Sequence, residues 1–165
     1  MFAHNGRLDN VEIRHAGEWD RFRPIGDTDS EIAFCILLER LSLLWQDRVE
    51  PSLEDRLAIV GRFAADMRQL GPANFIYADG DTLFAHGHRR LQADGTIAPP
   101  GLWRLQRRCP VEADTLPDAG VAIEPRQDRE DQVVTLLASV PLTDESWTPL
   151  AEGEVLAVKH GRGLA

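Results

Sequence analysis

The sequence predicts a single α+β domain, with helices segregated from an antiparallel sheet. Three observations lead there. Apolar residues recur at three- and four-residue intervals in two segments between Ile32 and Leu70. From Asn74 onward the period drops to two, the mark of half-buried strands. Strands and helices do not alternate along the chain, as a doubly wound parallel sheet would require.

The segment from Met1 to Gly6 reads as a strand ending in a turn at Asn5-Gly6. Residues 7–25 mix Gly17, Pro24 and many charges, which suits a loop or a short helical turn. Thr28, with Glu31 three residues on, makes a capping-box pattern that opens a helix running to about Trp45. A second helix is expected from about Leu53 to Leu70, with Leu57, Val60, Phe63, Ala64, Met67 and Leu70 on one face. Pro51-Ser52 precedes it and Gly71-Pro72 stops it. Residues 74–78 and 82–86 flank Asp79-Gly80-Asp81 as a hairpin. Residues 87–129 carry six prolines and glycines as punctuation between Gly95 and Pro117, then Pro125, and read as one long irregular span. Residues 132–140 form a β-branched strand, residues 141–149 a turn-rich loop around Trp147, and residues 154–159 a last strand.

Composition narrows the function classes. At 165 residues, 43% of them hydrophobic and 27% charged, the chain has the make-up of one soluble globular domain. Its longest apolar run, Ile32 to Leu38, is too short to span a bilayer, and no secretory signal pattern opens it, so a cytoplasmic location is expected. Eighteen Lys and Arg against 27 Asp and Glu argue against a nucleic-acid partner. Arg104, Arg107 and Arg108 beside Trp103 read as a solvated loop. Cys35 lies on a buried helix face and Cys109 in a loop before Pro110, and neither has a base to activate it. His86 and His88, two apart on a strand, face the same side, but no third ligand accompanies them. A hydrogen-bonded structural pair is expected there, with no metal and no cofactor.

Two short segments carry chemistry. Asn5-Gly6 offers a side-chain amide beside a backbone N–H that a ligand can approach closely, because Gly6 has no Cβ. Two converging donors are what an oxyanion hole needs in acyl transfer. Asp29, at a helix start, would hold its carboxylate near free backbone N–H groups and could meet the ammonium of a small substrate. Taken singly, an Asn-Gly pair is usually a turn and an Asp-Thr-Asp-Ser-Glu run a well-capped helix.

Together, His4-Asn5-Gly6 followed some twenty residues on by Thr28-Asp29-Ser30-Glu31 resembles the class II glutamine amidotransferases, which are N-terminal-nucleophile hydrolases. Residues 74–80, Asn-Phe-Ile-Tyr-Ala-Asp-Gly, resemble a hairpin of the small stand-alone members. Residues 138–143, then Trp147 and Glu152-Gly153-Glu154, resemble their C-terminal stretch. Four separated blocks in the right order span essentially the whole chain. The resemblance implies a four-layer αββα sandwich, glutamine as substrate and ammonia as product. It also implies that Asn5 and Gly6 form the oxyanion hole and that Asp29 binds the glutamine α-amino group.

The family's nucleophile is a cysteine at the mature N-terminus, with its own amine as base. Here Phe2 follows Met1, and the arginine that clamps the glutamine carboxylate in the family is absent as well. Met1 falls inside the strand that leads to His-Asn-Gly. The expectation is therefore the C-terminal portion of one type-2 glutamine amidotransferase domain over residues 1–165, incomplete at its N-terminus and inactive as it stands. Its start would be misplaced, a fragment, or that of a decayed relative. Neither cysteine replaces the nucleophile, and Ser139 lacks the strand–turn–helix elbow of a hydrolase serine. The alternative is a non-catalytic glutamine-binding or assembly module. Open apolar faces and a free strand edge would favour self-association.

Overall fold

The computed structural model describes residues 1–18, 20–45, 50–109, 114–116, 121–123 and 132–164, with side chains for all but Cys109, 114–116 and 121–123. In chain order come β1 (Phe2–Gly6), α1 (Val11–Arg14), α2 (Asp29–Ser42) and α3 (Leu53–Arg68). Then follow β2 (Ala73–Ala78), β3 (Leu83–His86), β4 (Arg90–Leu91), β5 (Ile97–Ala98), β6 (Trp103–Cys109), β7 (Asp114–Leu116) and β8 (Val121–Ile123). The last are β9 (Gln132–Ala138), β10 (Thr148–Pro149), β11 (Val155–Lys159) and β12 (Arg162–Leu164).

The central sheet runs β1-β2-β3-β11-β12, all antiparallel where paired. Strand alternation splits its side chains between two faces. Phe75, Tyr77, Phe84 and Ala157 join Ile36, Leu37, Val60, Phe63 and Met67 of α2 and α3 in the larger core. Rings meet closely there, with Phe2 stacked on Phe34 at 5.2 Å and Phe63 edge-on to Phe75 at 5.3 Å. On the other face Ala85, Leu156 and Val158 pack with Leu102, Leu150 and Leu137, which belong to or flank a second sheet of order β10-β6-β9.

Both long helices start as their sequences dictate. Thr28 Oγ1 accepts from Glu31 N at 3.2 Å, and Ser52 Oγ accepts from Asp55 N at 3.1 Å. The Glu31 half of the capping box is redirected: its carboxylate accepts from the N–H groups of Ile25 and Gly26, both at 2.9 Å. Glu39 likewise gathers the N–H groups of Asp20, Arg21 and Phe22, so α2 fastens the segment before it. Nearer β1, Leu8 and Val11 are buried, and Arg7 and Asp9 donate to the carbonyls of Pro72 and Leu70.

Residues 87–129 depart from the expected irregular span. They hold the β4–β5 hairpin, the seven-residue β6 and the β7–β8 pair. In β6, Leu105 is buried while Gln106 and Arg108 are exposed, a period-two pattern that the surrounding prolines obscured. Arg104, Arg107 and Arg108 therefore lie on a strand, and Arg107 pairs with Glu145 at 2.6 Å. Cys109 ends β6, and its side chain lies outside the described residues. The turn at Gly161 also carries β12, which the sequence reading did not anticipate. Helix ends fall two to three residues earlier than expected, with turns continuing to Trp45 and Leu70. No described helix is long and apolar enough to cross a membrane.

Candidate functional site

The β1–β2 ladder determines what the end of β1 can offer. Met1 and Ala78 exchange bonds, and Arg7 N donates to Pro72 O, so odd-numbered residues of this strand face β2. Even-numbered residues turn their backbone groups outward, and β1 is an edge strand among the described residues. The N–H of Gly6 is therefore outside the ladder. A Cβ at Gly6 would overlap the carbonyl of Pro72, so glycine is required by close approach of backbone to backbone.

Gly6 and Asp29 line one groove of about 630 Å³, together with residues 7–10 and Glu12. Asp29 is the first residue of α2, and its Oδ2 accepts from Leu8 N at 2.8 Å. No salt bridge reaches it from the described residues. The amide of Asn5 leaves β1 on the other face, where Nδ2 donates to Ser139 Oγ at 2.6 Å. Asn5 and Ser139 line a separate cavity of about 180 Å³ between the two sheets. The structure thus brings Gly6 and Asp29 onto one surface and puts the Asn5 side chain around the strand edge from them.

His4 and Ser30 connect strand and helix. His4 Nε2 lies 3.3 Å from Pro72 O, its Nδ1 lies 3.0 Å from Ser30 Oγ, and Ser30 Oγ is 3.2 Å from Asp29 Oδ1. A carbonyl can only accept, so Nε2 carries the proton toward Pro72. Burial lowers the His4 pKa, while the Pro72 bond and the nearby Asp29 charge oppose that shift. In neutral His4, Nδ1 is an acceptor, so the single hydroxyl proton of Ser30 is shared between two acceptors, His4 Nδ1 and Asp29 Oδ1.

Sequence reasoning did not single out Asn74, which is buried at the start of β2. Its Nδ2 donates to Asn5 O at 3.0 Å and to Arg89 O at 2.7 Å, while its Oδ1 accepts from His88 N at 2.8 Å. The available signal was an amide heading an otherwise apolar strand. Ser139, part of the C-terminal stretch that resembles the family and rejected as a nucleophile, is the partner of Asn5. Cys35 is buried in α2, and desolvation together with Glu31 pushes its thiol pKa up. His88 lies just beyond β3, and both imidazoles are bonded to backbone rather than to each other: His86 Nδ1 to Glu154 O and His88 Nδ1 to Ala73 N.

The site is thus an edge strand of an antiparallel sheet that ends in Asn-Gly, beside a carboxylate at a helix start. The comparisons with known proteins specify the group. The profile of the family described as "Glutamine amidotransferases class-II" matches residues 1–165, and the chain belongs to that family. It is 33% identical over 155 residues to "Putative glutamine amidotransferase YafJ" of Escherichia coli (strain K12), covering 93% of this chain and 55% of that protein. A Haemophilus influenzae protein called "Putative glutamine amidotransferase" is 31% identical over 167 residues, covering 100% of this chain and 51% of that protein. The chain thus spans about half the length of these curated relatives. A crystal structure titled as a predicted glutamine amidotransferase from Pseudomonas aeruginosa PA01 superposes with a TM-score of 0.74 at 32% identity, covering 99% of this chain and 59% of that one.

Proposed function

We propose that this chain carries the oxyanion-stabilising and ammonium-binding part of a site that hydrolyses the side-chain amide of glutamine and releases ammonia. Asp29 would hold the α-ammonium group. The Asn5 amide and the Gly6 N–H would stabilise the charge on the amide oxygen as the tetrahedral intermediate forms. The observation that carries most weight is the shared groove: a carboxylate with no cationic partner among the described residues lies beside a backbone N–H left out of its ladder.

The reaction also needs a nucleophile, a base and a clamp for the α-carboxylate. No thiol lines the groove among the described residues. A cysteine outside these 165 residues would attack the amide carbon, expel ammonia with a proton from its own amine, and leave a thioester for water to cleave. Residues 1–165 would then be the C-terminal portion of a single type-2 domain with the four-layer αββα architecture. A cytoplasmic location goes with that role, and the isolated 165-residue chain would self-associate through the edge of β1, which pairs only with β2 among the described residues. A monodisperse monomer by light scattering would count against self-association.

The test is ammonia release. The 165-residue chain is expected to be silent, and a chain extended by the cysteine-bearing segment active. In the extended protein Asn5→Ala should lower kcat by roughly 10²- to 10³-fold. An extended chain that folds and binds glutamine but releases no ammonia would overturn the hydrolytic reading. That outcome would leave the second reading, a non-catalytic glutamine-binding or assembly module, which the Asp29 carboxylate in the groove suits equally.

A further inference from the structure

We propose a separate oxyanion-binding site centred on Arg68, independent of the glutamine reading, that takes a small carboxylate or phosphate group. Arg68 ends α3 and lines a cavity of about 430 Å³ with Gly71, Pro72, His88, Arg89 and Glu152. Pro72 links the two regions: it lines this second cavity, and its carbonyl accepts from the N–H of Arg7, which lines the Asp29 groove.

Charge counting points to an anion. Glu152 is the only acid lining the cavity among the described residues, and it is already bonded to Arg89 at 2.6 Å. It also lies 3.5 Å from His88 Nε2. Burial lowers the His88 pKa, with Arg89 and Arg68 adding to the shift, so His88 does not carry the balancing charge at neutral pH. Arg68 has no carboxylate partner among the described residues, and its Nε is buried without an acceptor. One positive charge is left over.

The guanidinium is held rather than free to swing into water. A Cβ on Gly153 would overlap Arg68 Nη1, so the group is pressed against the Glu152–Gly153 turn. Beside it, His86 is completely buried and stacks 6.4 Å from His88, and its Nε2 also lacks a partner. An oxyanion here would accept from the planar fork of Arg68 and draw Arg89 partly away from Glu152. A solvated arginine complementing the α3 dipole would show no such selectivity.

Titration of the full chain with inorganic phosphate and, separately, with acetate at fixed ionic strength tests the site by calorimetry and amide shifts. Saturable binding is expected, with shifts concentrated at Gly71, Arg89 and Gly153, and the tighter probe identifies the ligand class. Arg68→Met should weaken binding at least tenfold, and Asp29→Asn should leave it unchanged. Glu152→Gln removes the internal competitor and should tighten binding several-fold, which decides the matter if Arg68→Met does not fold. Unaltered affinity in folded Arg68→Met, no gain in Glu152→Gln, or shifts scattered over the surface would overturn the proposal.

Discussion

The two ends of β2 handle aspartate in opposite ways. Beyond Ala78, Asp79 and Asp81 surround Arg56, which reaches Asp79 at 2.9 Å and Asp81 at 3.3 Å, while Lys159 meets Asp81 at 2.7 Å. Arg56 is only 3% exposed, so this cluster fastens the hairpin turn to α3. At the other end Ala73 pairs with Gly6, which shares a groove with Asp29; that carboxylate takes a backbone N–H and has no ion-pair partner among the described residues. The difference teaches where charge is committed to the fold and where it remains for a ligand. A carboxylate neutralised internally cannot also hold a substrate ammonium.

The most severe way to test that contrast is at the hairpin end. Arg56→Met should cost roughly 3–5 kcal/mol, because it leaves Asp79 buried without its partner. Chemical denaturation reads this directly, and a loss below about 1 kcal/mol would mean that the cluster is not structural.

Acid separates the ends next. Burial pushes the His86 pKa down to about 4, and the neutral ring is therefore favoured by the fold. Between about pH 6.5 and 4 the unfolded chain binds the extra proton, so stability is full above 6.5 and falls as pH drops. The term is about 3 kcal/mol at most, and His86→Gln should flatten it. Asp81 is held at about 2, chiefly by Lys159 and Thr82. Its contribution is present above about pH 4 and disappears only as pH falls toward 2. A single transition below pH 4 would contradict this order.

Gly6→Ala should cost roughly 1–3 kcal/mol through its clash with Pro72, visible as a lowered midpoint of unfolding. The smallest stability effect is expected at Asp29. Asp29→Asn should cost no more than about 1 kcal/mol, since one hydrogen bond is weakened. If the site binds as proposed, the same change should abolish glutamine binding by calorimetry. A large stability loss with binding retained would reverse the comparison.

The helices, the hairpin and the segment order were legible because apolar periodicity and capping residues are local signals. Thr28 and Ser52 begin their helices through bonds spanning three residues. β6 was not legible, since its pairing partner β9 lies more than twenty residues away and its short alternation is obscured by the surrounding prolines. The site divided similarly. Gly6 and Asp29 stand in recognisable motifs, whereas the Ser139 contact to Asn5 spans 134 residues and exists only once the second sheet packs. Glu31 shows the converse: the right residue at the right spacing serves Ile25 and Gly26 instead of its own helix cap.

The amide of Asn74 has a consequence for how the sequence can drift. With both its N–H₂ contacts and its oxygen engaged by two separate chain segments, at Asn5 and at His88-Arg89, it tolerates neither aspartate, which cannot donate, nor leucine, which can do neither. Sliding β1 along β2 by one position would also turn every side chain to the wrong face. Insertions are thus confined to the loops outside β1 and β2, and the alignment of these two strands should be the most conservative feature of the chain.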